Sequence, residues 1–258
     1  ISILLSIVIG FLAGKFVDIQ SRDISNLLFY FIAPIVFFSV PANSSLTYSS
    51  LSLGVVTFLI ASALSIFSFF FFRLYWSGST LSILAYSAGA ANTGYFMLPI
   101  ATTLFDDYTL SMYMMAAVGI SIYDCSVGYY MCIHNLSSTK QSILRIFKMP
   151  TLISFALGCC FSLLGITLPD FLEDFIYNIR GAYSILGMVL IGLGLATMKS
   201  IVIDKKFTLS ICAAKFIFYP IAINIFILLD KLWLNWYESN TYYALQLIST
   251  APIAANTM

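Results

Sequence analysis

The chain has 258 residues, of which 60% are hydrophobic and only 9% are charged, and its mean hydropathy is +0.97. Soluble domains carry about 25% charged residues, so a soluble core could not bury this apolar surface, and lipid must be the solvent. A net charge of +1 without a basic block gives no indication of nucleic-acid binding. The five cysteines have neither metal-ligand spacing nor the even number of a disulfide framework, so we expect no metal and no cofactor.

Nine apolar runs are long enough to form membrane helices, which need about 20 residues each. They lie in chain order at roughly 1–16, 24–41, 51–76, 81–105, 109–133, 149–168, 178–198, 207–230 and 241–258. None of them alternates between apolar and polar residues as a strand of a membrane barrel does. The sequence therefore predicts an all-α integral membrane protein.

The loops between these runs differ in basic charge. Alternate loops together hold nine lysines and arginines, namely Lys15, Arg22, Arg73, Lys140, Arg145, Lys148, Lys199, Lys205 and Lys206. The remaining loops hold only Arg180 and Lys231. Since basic loops stay on the cytoplasmic side, this distribution predicts that the N-terminus lies outside.

The connecting loop at 135–148, which is cytoplasmic by this rule, divides the chain into two halves. The first half, 1–134, has five predicted helices, and the second, 149–258, has three and the beginning of a fourth. An odd number of spans in each repeat would make the two repeats run in opposite directions, which is a 5+5 inverted-repeat bundle. On this count the chain holds about nine of ten helices, and we expect one more helix after Met258.

The tetrapeptide AANT occurs once in each half, at 90–93 in segment 4 and at 254–257 in segment 9. Pro99 follows the first copy and Pro252 precedes the second. Asn, Thr, Gly and Pro are poor helix formers, so both segments are predicted to be broken helices. The alternative for segment 4 alone is a proline-kinked packing helix.

Backbone groups freed at membrane depth must face protein or a water-filled cavity, so the two breaks are predicted to frame a binding site. An unwound helix offers amides to anions at one end and carbonyls to cations at the other. The predicted substrate-binding residues are Asn92, Thr93, Gly94, Pro99, Pro252, Asn256 and Thr257.

Four stretches of the chain resemble the auxin efflux carrier family of transporters. NTGYFMLPI at 92–100 is similar to the first crossover helix of that family, and APIAAN at 251–256 is similar to the second. FYFIAPIVFFSV at 29–40 and MPTLISFALGCCFSLLGITLP at 149–169 resemble its second and sixth helices.

The resemblance implies ten helices in a 5+5 inverted repeat, with crossed helices 4 and 9 framing the substrate. It also implies export of an organic anion, which is auxin in plants and a small carboxylate in bacteria. The chain resembles the bacterial members, which implies that it lies in a bacterial inner membrane. The chain departs from the family at Met97, where glycine is common, and in its seventh helix, which lacks proline.

Two charged residues lie inside predicted helices. Asp124 in segment 5 and Lys215 in segment 8 are each about nine positions from the cytoplasmic end, which is ~13 Å deep at ~1.5 Å per residue. A charge on a central helix position costs at least ~2.5–3.5 kcal/mol unless it is paired or hydrated. Either the two form a proton-coupling or substrate-charge pair, or they form a static salt bridge, or one of them lies in water.

The sequence thus predicts a secondary carrier that exports a small organic anion, with the substrate at the midplane between the two broken helices. The alternative on the same architecture is a cation-coupled symporter of the bile-acid type or a proton antiporter. An intramembrane enzyme is disfavoured, because the only histidine is His134 at a helix end and Asp124 is the only suitable aspartate. The expected partners are the anion and the lipid bilayer, without nucleic acid, and both a monomer and a homodimer remain open.

Overall fold

The computed structural model describes residues 2–17, 19–43, 47–133, 150–198 and 204–253. Within these ranges the regular elements are helices, and no strand is present. They form nine helical segments in the predicted order: α1 (Ser2–Phe16), α2 (Ser21–Ala42), α3 (Tyr48–Phe72), α4a (Gly78–Gly89) with α4b (93–104), α5 (107–133), α6 (Pro150–Leu163), α7 (Asp170–Thr197), α8 (Lys205–Leu234) and α9 (Ser239–Ser249).

Five segments are long and apolar enough to cross a membrane: α2, α3, α7, α8 and the Tyr108–Cys132 part of α5. Large apolar side chains on these helices are exposed, among them Leu59, Phe70 and Ile225. Exposed large apolar side chains in this number are rare on soluble monomers, whereas acyl chains solvate them well. The chain is therefore an integral membrane protein.

Helix α7 begins at Asp170, so the predicted start of segment 7 near 178 is wrong. Asp170 and Glu173 lie in its first turn, where negative side chains stabilise the positive end of the helix. Arg180, predicted to be a loop residue, lies within α7 and donates a hydrogen bond to Ser39 Oγ at 2.9 Å. A first helical turn that is rich in acidic residues resembles a polar loop in composition, so the sequence pattern predicts the wrong boundary.

The start of α5 is fixed by a side-chain cap. Asp106 accepts a hydrogen bond from the backbone N–H of Thr109 at 3.0 Å. Hydrogen bonds from the Thr109 side chain and backbone lower the pKa of Asp106, so the cap is charged at neutral pH. The Asp106-Asp107 pair therefore begins α5 directly after α4b ends.

The chain forms two compact units. Unit 1 comprises Ile1–Leu46, Gly94–Thr103 and Met149–Val202, and unit 2 comprises Thr47–Thr93, Leu104–Lys148 and Ile203–Met258. Unit 1 thus holds α1, α2, α6, α7 and residues 94–103 of α4b, and unit 2 holds α3, α4a, α5, α8 and α9. Each unit takes helices from both predicted halves, 1–134 and 149–258, and the division into two repeats stays a prediction.

In unit 1, glycines bring α1 and α7 into backbone contact. A Cβ at Gly10 would collide with the main chain of Val189, and a Cβ at Gly192 would collide with the Ile7 carbonyl and lie 2.6 Å from the Phe11 nitrogen. In lipid, close backbone approach of this kind replaces the hydrophobic effect as the source of helix association.

In unit 2, α4a is enclosed by its neighbours. Leu81, Leu84 and Ala88 on α4a pack with Phe72 of α3 and Ala214 of α8 in one buried cluster. From Leu84 to the end of α4a every residue is buried. The end of α4a is therefore held within protein and away from lipid.

Candidate functional site

Segment 4 is interrupted between its two halves. Helix α4a ends at Gly89, and Ala90 is extended, with φ −69° and ψ 141°. The helix resumes at Thr93 with a wide π-helical turn, Thr93–Met97. Ala90, Ala91, Asn92 and Thr93 are each at most 5% exposed. The structure thus contains the break that the first AANT predicts, and the break is buried.

Side chains and neighbouring backbone satisfy the groups that the break frees. Tyr113 donates its hydroxyl to the Thr93 carbonyl at 2.5 Å, and the Thr93 N–H donates to the Ala91 carbonyl at 2.8 Å. Buried backbone groups without such partners would each cost free energy comparable to a lost hydrogen bond. The unwound backbone is therefore stabilised by α5, on which Tyr113 lies.

The break is bonded to the stretch that precedes the second AANT. The Asn92 N–H donates to the Pro252 carbonyl at 2.7 Å. Pro252 lies just beyond the end of α9, where residues 251–253 are not helical. The two segments singled out in the sequence thus meet, main chain to main chain, within unit 2. Asn256 and Thr257 lie outside the described residues.

Lys215 binds the carbonyl end of α4a. Its side chain is 1% exposed, and its Nζ donates to the Ala90 carbonyl at 2.6 Å. The same ammonium lies 4.0 Å from the centroid of the Tyr219 ring. The cation therefore contacts a backbone oxygen and an aromatic face, both of which are uncharged.

Asp124 has a different partner. It accepts a hydrogen bond from the Tyr86 hydroxyl at 3.3 Å. Within the described part of the chain, no ion pair joins Asp124 to Lys215, whose Nζ donates to the Ala90 carbonyl instead. The role of the two as a coupling pair stays a prediction.

Both charged residues lie on π-helical turns, Asp124 on Asp124–Gly128 and Lys215 on Ala214–Phe218. Such turns insert one extra residue into a helix, and they occur frequently at functional sites. The described residues also contain π-helical turns at Leu28–Ile32 and Asp230–Leu234, so a functional role of the turns at Asp124 and Lys215 stays a prediction.

Tyrosines around the break were not among the predicted site residues. Tyr123 donates its hydroxyl to the Tyr86 carbonyl at 2.8 Å, and the Tyr86 and Tyr123 rings stack with their centroids 6.2 Å apart. A Cβ at Gly128 would meet the Tyr86 ring at 2.9 Å, so this glycine makes room for it. The available signal was the position of these tyrosines within the segments, since interfacial tyrosines lie at segment ends.

Two predicted site residues belong to unit 1. A Cβ at Gly94 would lie 2.5 Å from the Tyr183 hydroxyl, and the neighbouring Tyr95 ring lies 4.9 Å from the Tyr183 ring. Pro99 is the second residue of the Leu98–Leu104 helix and is partly exposed. The structure thus brings Asn92, Thr93 and Pro252 together in unit 2, while Gly94 and Pro99 pack in unit 1.

No group of three or more His, Cys, Asp or Glu side chains in the described ranges is placed to hold a metal ion. No protein-family model matches the chain, and no curated protein matches it. The candidate site consists of the break, its bond to Pro252, the buried Lys215 on α8 and the partly buried Asp124 on α5.

Proposed function

We propose that this chain is a secondary carrier that exports a small organic anion such as a carboxylate, and that it belongs to the auxin efflux carrier family. The observation that carries the proposal is the bond from the Asn92 N–H to the Pro252 carbonyl. It joins two non-helical stretches of an integral membrane protein. A protein that merely spans the bilayer has no use for two such stretches, because every freed backbone group needs another partner.

The composition of the units supports the repeat on which this proposal depends. The first two segments of each half, α1 with α2 and α6 with α7, are in unit 1. The third segment of each half, α3 and α8, is in unit 2. Two repeats of the same order would distribute their helices in this way.

The polar groups around the break can bind an anion as the substrate. Lys215 contributes a buried positive charge that no direct ion pair neutralises within the described residues. Asn92 and Thr93 beside it supply an amide and a hydroxyl, which can donate hydrogen bonds to a carboxylate.

Counterflow in proteoliposomes tests the proposal on the full-length protein. Vesicles preloaded with an unlabelled dicarboxylate or aromatic acid should take up the same labelled anion faster than protein-free vesicles. Repeating the assay with a sodium or a pH gradient separates the simple carrier from the cation-coupled symporter and the proton antiporter. Exchange of none of the anions would contradict the carrier function.

Asn92→Ala and Asn256→Ala should each reduce exchange about tenfold or more, because a hydrogen bond to a charged group is worth about 1.5–3 kcal/mol. Initial rates at several substrate concentrations measure the loss. The matched control is Asn178→Ala on α7, where the amide is exposed and binds only the Asp174 carbonyl. Normal exchange in both site variants would mean that the two breaks do not form the transport site.

A further inference from the structure

The C-terminal end of α4a carries a concentrated negative potential. The last four carbonyls of a helix have no intrahelical donor, and the helix dipole places about half a negative charge at that end. Here the end is buried, since Gly89 and Ala90 are enclosed by protein. Free water therefore does not compensate it, and the protein must supply a positive group.

The groups around the Lys215 ammonium are those that bind a monovalent cation. They are the Ala90 carbonyl oxygen at 2.6 Å and the face of the Tyr219 ring at 4.0 Å. Carbonyl oxygens replace the hydration shell of small cations, and aromatic faces attract ammonium ions. Neither ligand carries a charge, so the arrangement differs from a lysine–carboxylate salt bridge.

The carboxylate of Asp124 is engaged elsewhere, by the Tyr86 hydroxyl on α4a. Tyr86 also offers its carbonyl to Tyr123, so α4a, α5 and α8 are bonded to one another around the same helix end. The one positive charge in this set is the ammonium. Its removal would leave the end of α4a without a counter-charge in the described structure.

We propose that Lys215 occupies a monovalent-cation site at the C-terminal end of α4a as a tethered ammonium. The break is then held without a dissolved coupling ion. Removing the side chain would open a site for a free alkylammonium ion that spans the vacated space. The consequence for coupling, a carrier that needs no sodium at this position, rests on the proposed function, whereas the cation site itself does not.

Thermal denaturation of the purified protein in detergent tests the site without any transport measurement. Lys215→Ala should lower the Tm by roughly 5–10 °C, because it leaves the helix end uncompensated and creates a cavity. Adding n-butylammonium chloride should restore much of the loss, while choline chloride at equal ionic strength should not. Lys205→Ala, at an exposed position on the same helix, should melt like the wild type with either salt.

Lys215→Met separates charge from packing, since methionine fills the space without donating a hydrogen bond to the Ala90 carbonyl. It also replaces the alanine variant in this test if the alanine variant does not fold. The proposal requires that Lys215→Met also melts below the wild type. A methionine variant as stable as the wild type, or an alanine variant that n-butylammonium does not rescue, would overturn it. A sodium-specific rise in the wild-type Tm that the methionine variant loses would overturn it as well. Anion exchange that persists in such a case would leave the carrier function intact.

Discussion

Individual tyrosines determine whether the break in segment 4 is stable. Tyr113 and Tyr123, both on α5, donate to the carbonyls of Thr93 and Tyr86 on either side of the unwound residues. Both tyrosine side chains are fully buried. The Tyr86 carbonyl also accepts from the Ala90 N–H at 3.1 Å, so Tyr123 adds a second donor there, whereas Tyr113 supplies the side-chain donor to the Thr93 carbonyl.

Tyr113→Phe should destabilise the protein by about 1–3 kcal/mol, since it leaves the Thr93 carbonyl without its hydroxyl donor. Thermal denaturation in a mild detergent measures the effect. Tyr108→Phe is the matched control, because Tyr108 lies on the same helix and is 46% exposed. Identical melting of Tyr113→Phe and the wild type would mean that the Thr93 carbonyl has another donor.

Helix pairs in this protein approach closely where glycines face each other. In unit 1 this occurs between Gly10 and Gly192, and in unit 2 a Cβ at Gly119 would collide with the Gly54 carbonyl. Thr57 adds a hydroxyl bond to the Ala116 carbonyl at 2.8 Å across the same α3–α5 contact. Close contact and interhelical hydrogen bonds are the forces available between helices in lipid.

Gly192→Ala and Gly181→Ala should change stability in opposite directions, although both replace a glycine within α7. At Gly192 the added methyl group collides with the α1 backbone, and overpacking of this kind costs about 1–3 kcal/mol. At Gly181 no atom lies within 4 Å, so alanine should add up to about 1 kcal/mol of helix propensity.

The Tm of each variant in detergent tests this contrast. Stabilisation by both substitutions would contradict the close α1–α7 contact. Destabilisation by both would mean that α7 tolerates no side chain at the exposed position either.

For the molecule as a whole, the loop charges predict the direction of each segment through the membrane. Segment 4 should begin in the cytoplasm and segment 9 outside, so that the two interrupted segments run in opposite directions. Arg73 lies in the loop before α4a, and the loop before α9 follows Lys231, which lies in the last turn of α8. Opposite directions are what an inverted repeat requires.

Cysteines placed in these two loops should react from opposite sides of the membrane. In a protein whose five native cysteines are replaced by alanine, Trp236→Cys should react with an impermeant maleimide on intact cells. Ser77→Cys should react only in inverted vesicles. Labelling of both positions from the same side would contradict the predicted topology and the inverted repeat with it.

The sequence by itself determined the membrane location, the break at 90–92 and the nine helical segments found in the described ranges. These features depend on local physical chemistry: the length of an apolar run and the helix-breaking residues within it. The same local reasoning misplaced the start of α7, since Asp170 and Glu173 are as typical of a loop as of a first helical turn.

Only the tertiary structure decided which groups satisfy the break. Lys215 is 125 positions from Ala90 along the chain, and the bond between them depends on how α4a and α8 pack. The sequence allowed Lys215 to pair with Asp124, yet a backbone carbonyl and an aromatic ring are its closest partners. Backbone carbonyls are identical at every position, so no sequence pattern marks the one that folding exposes to a cation.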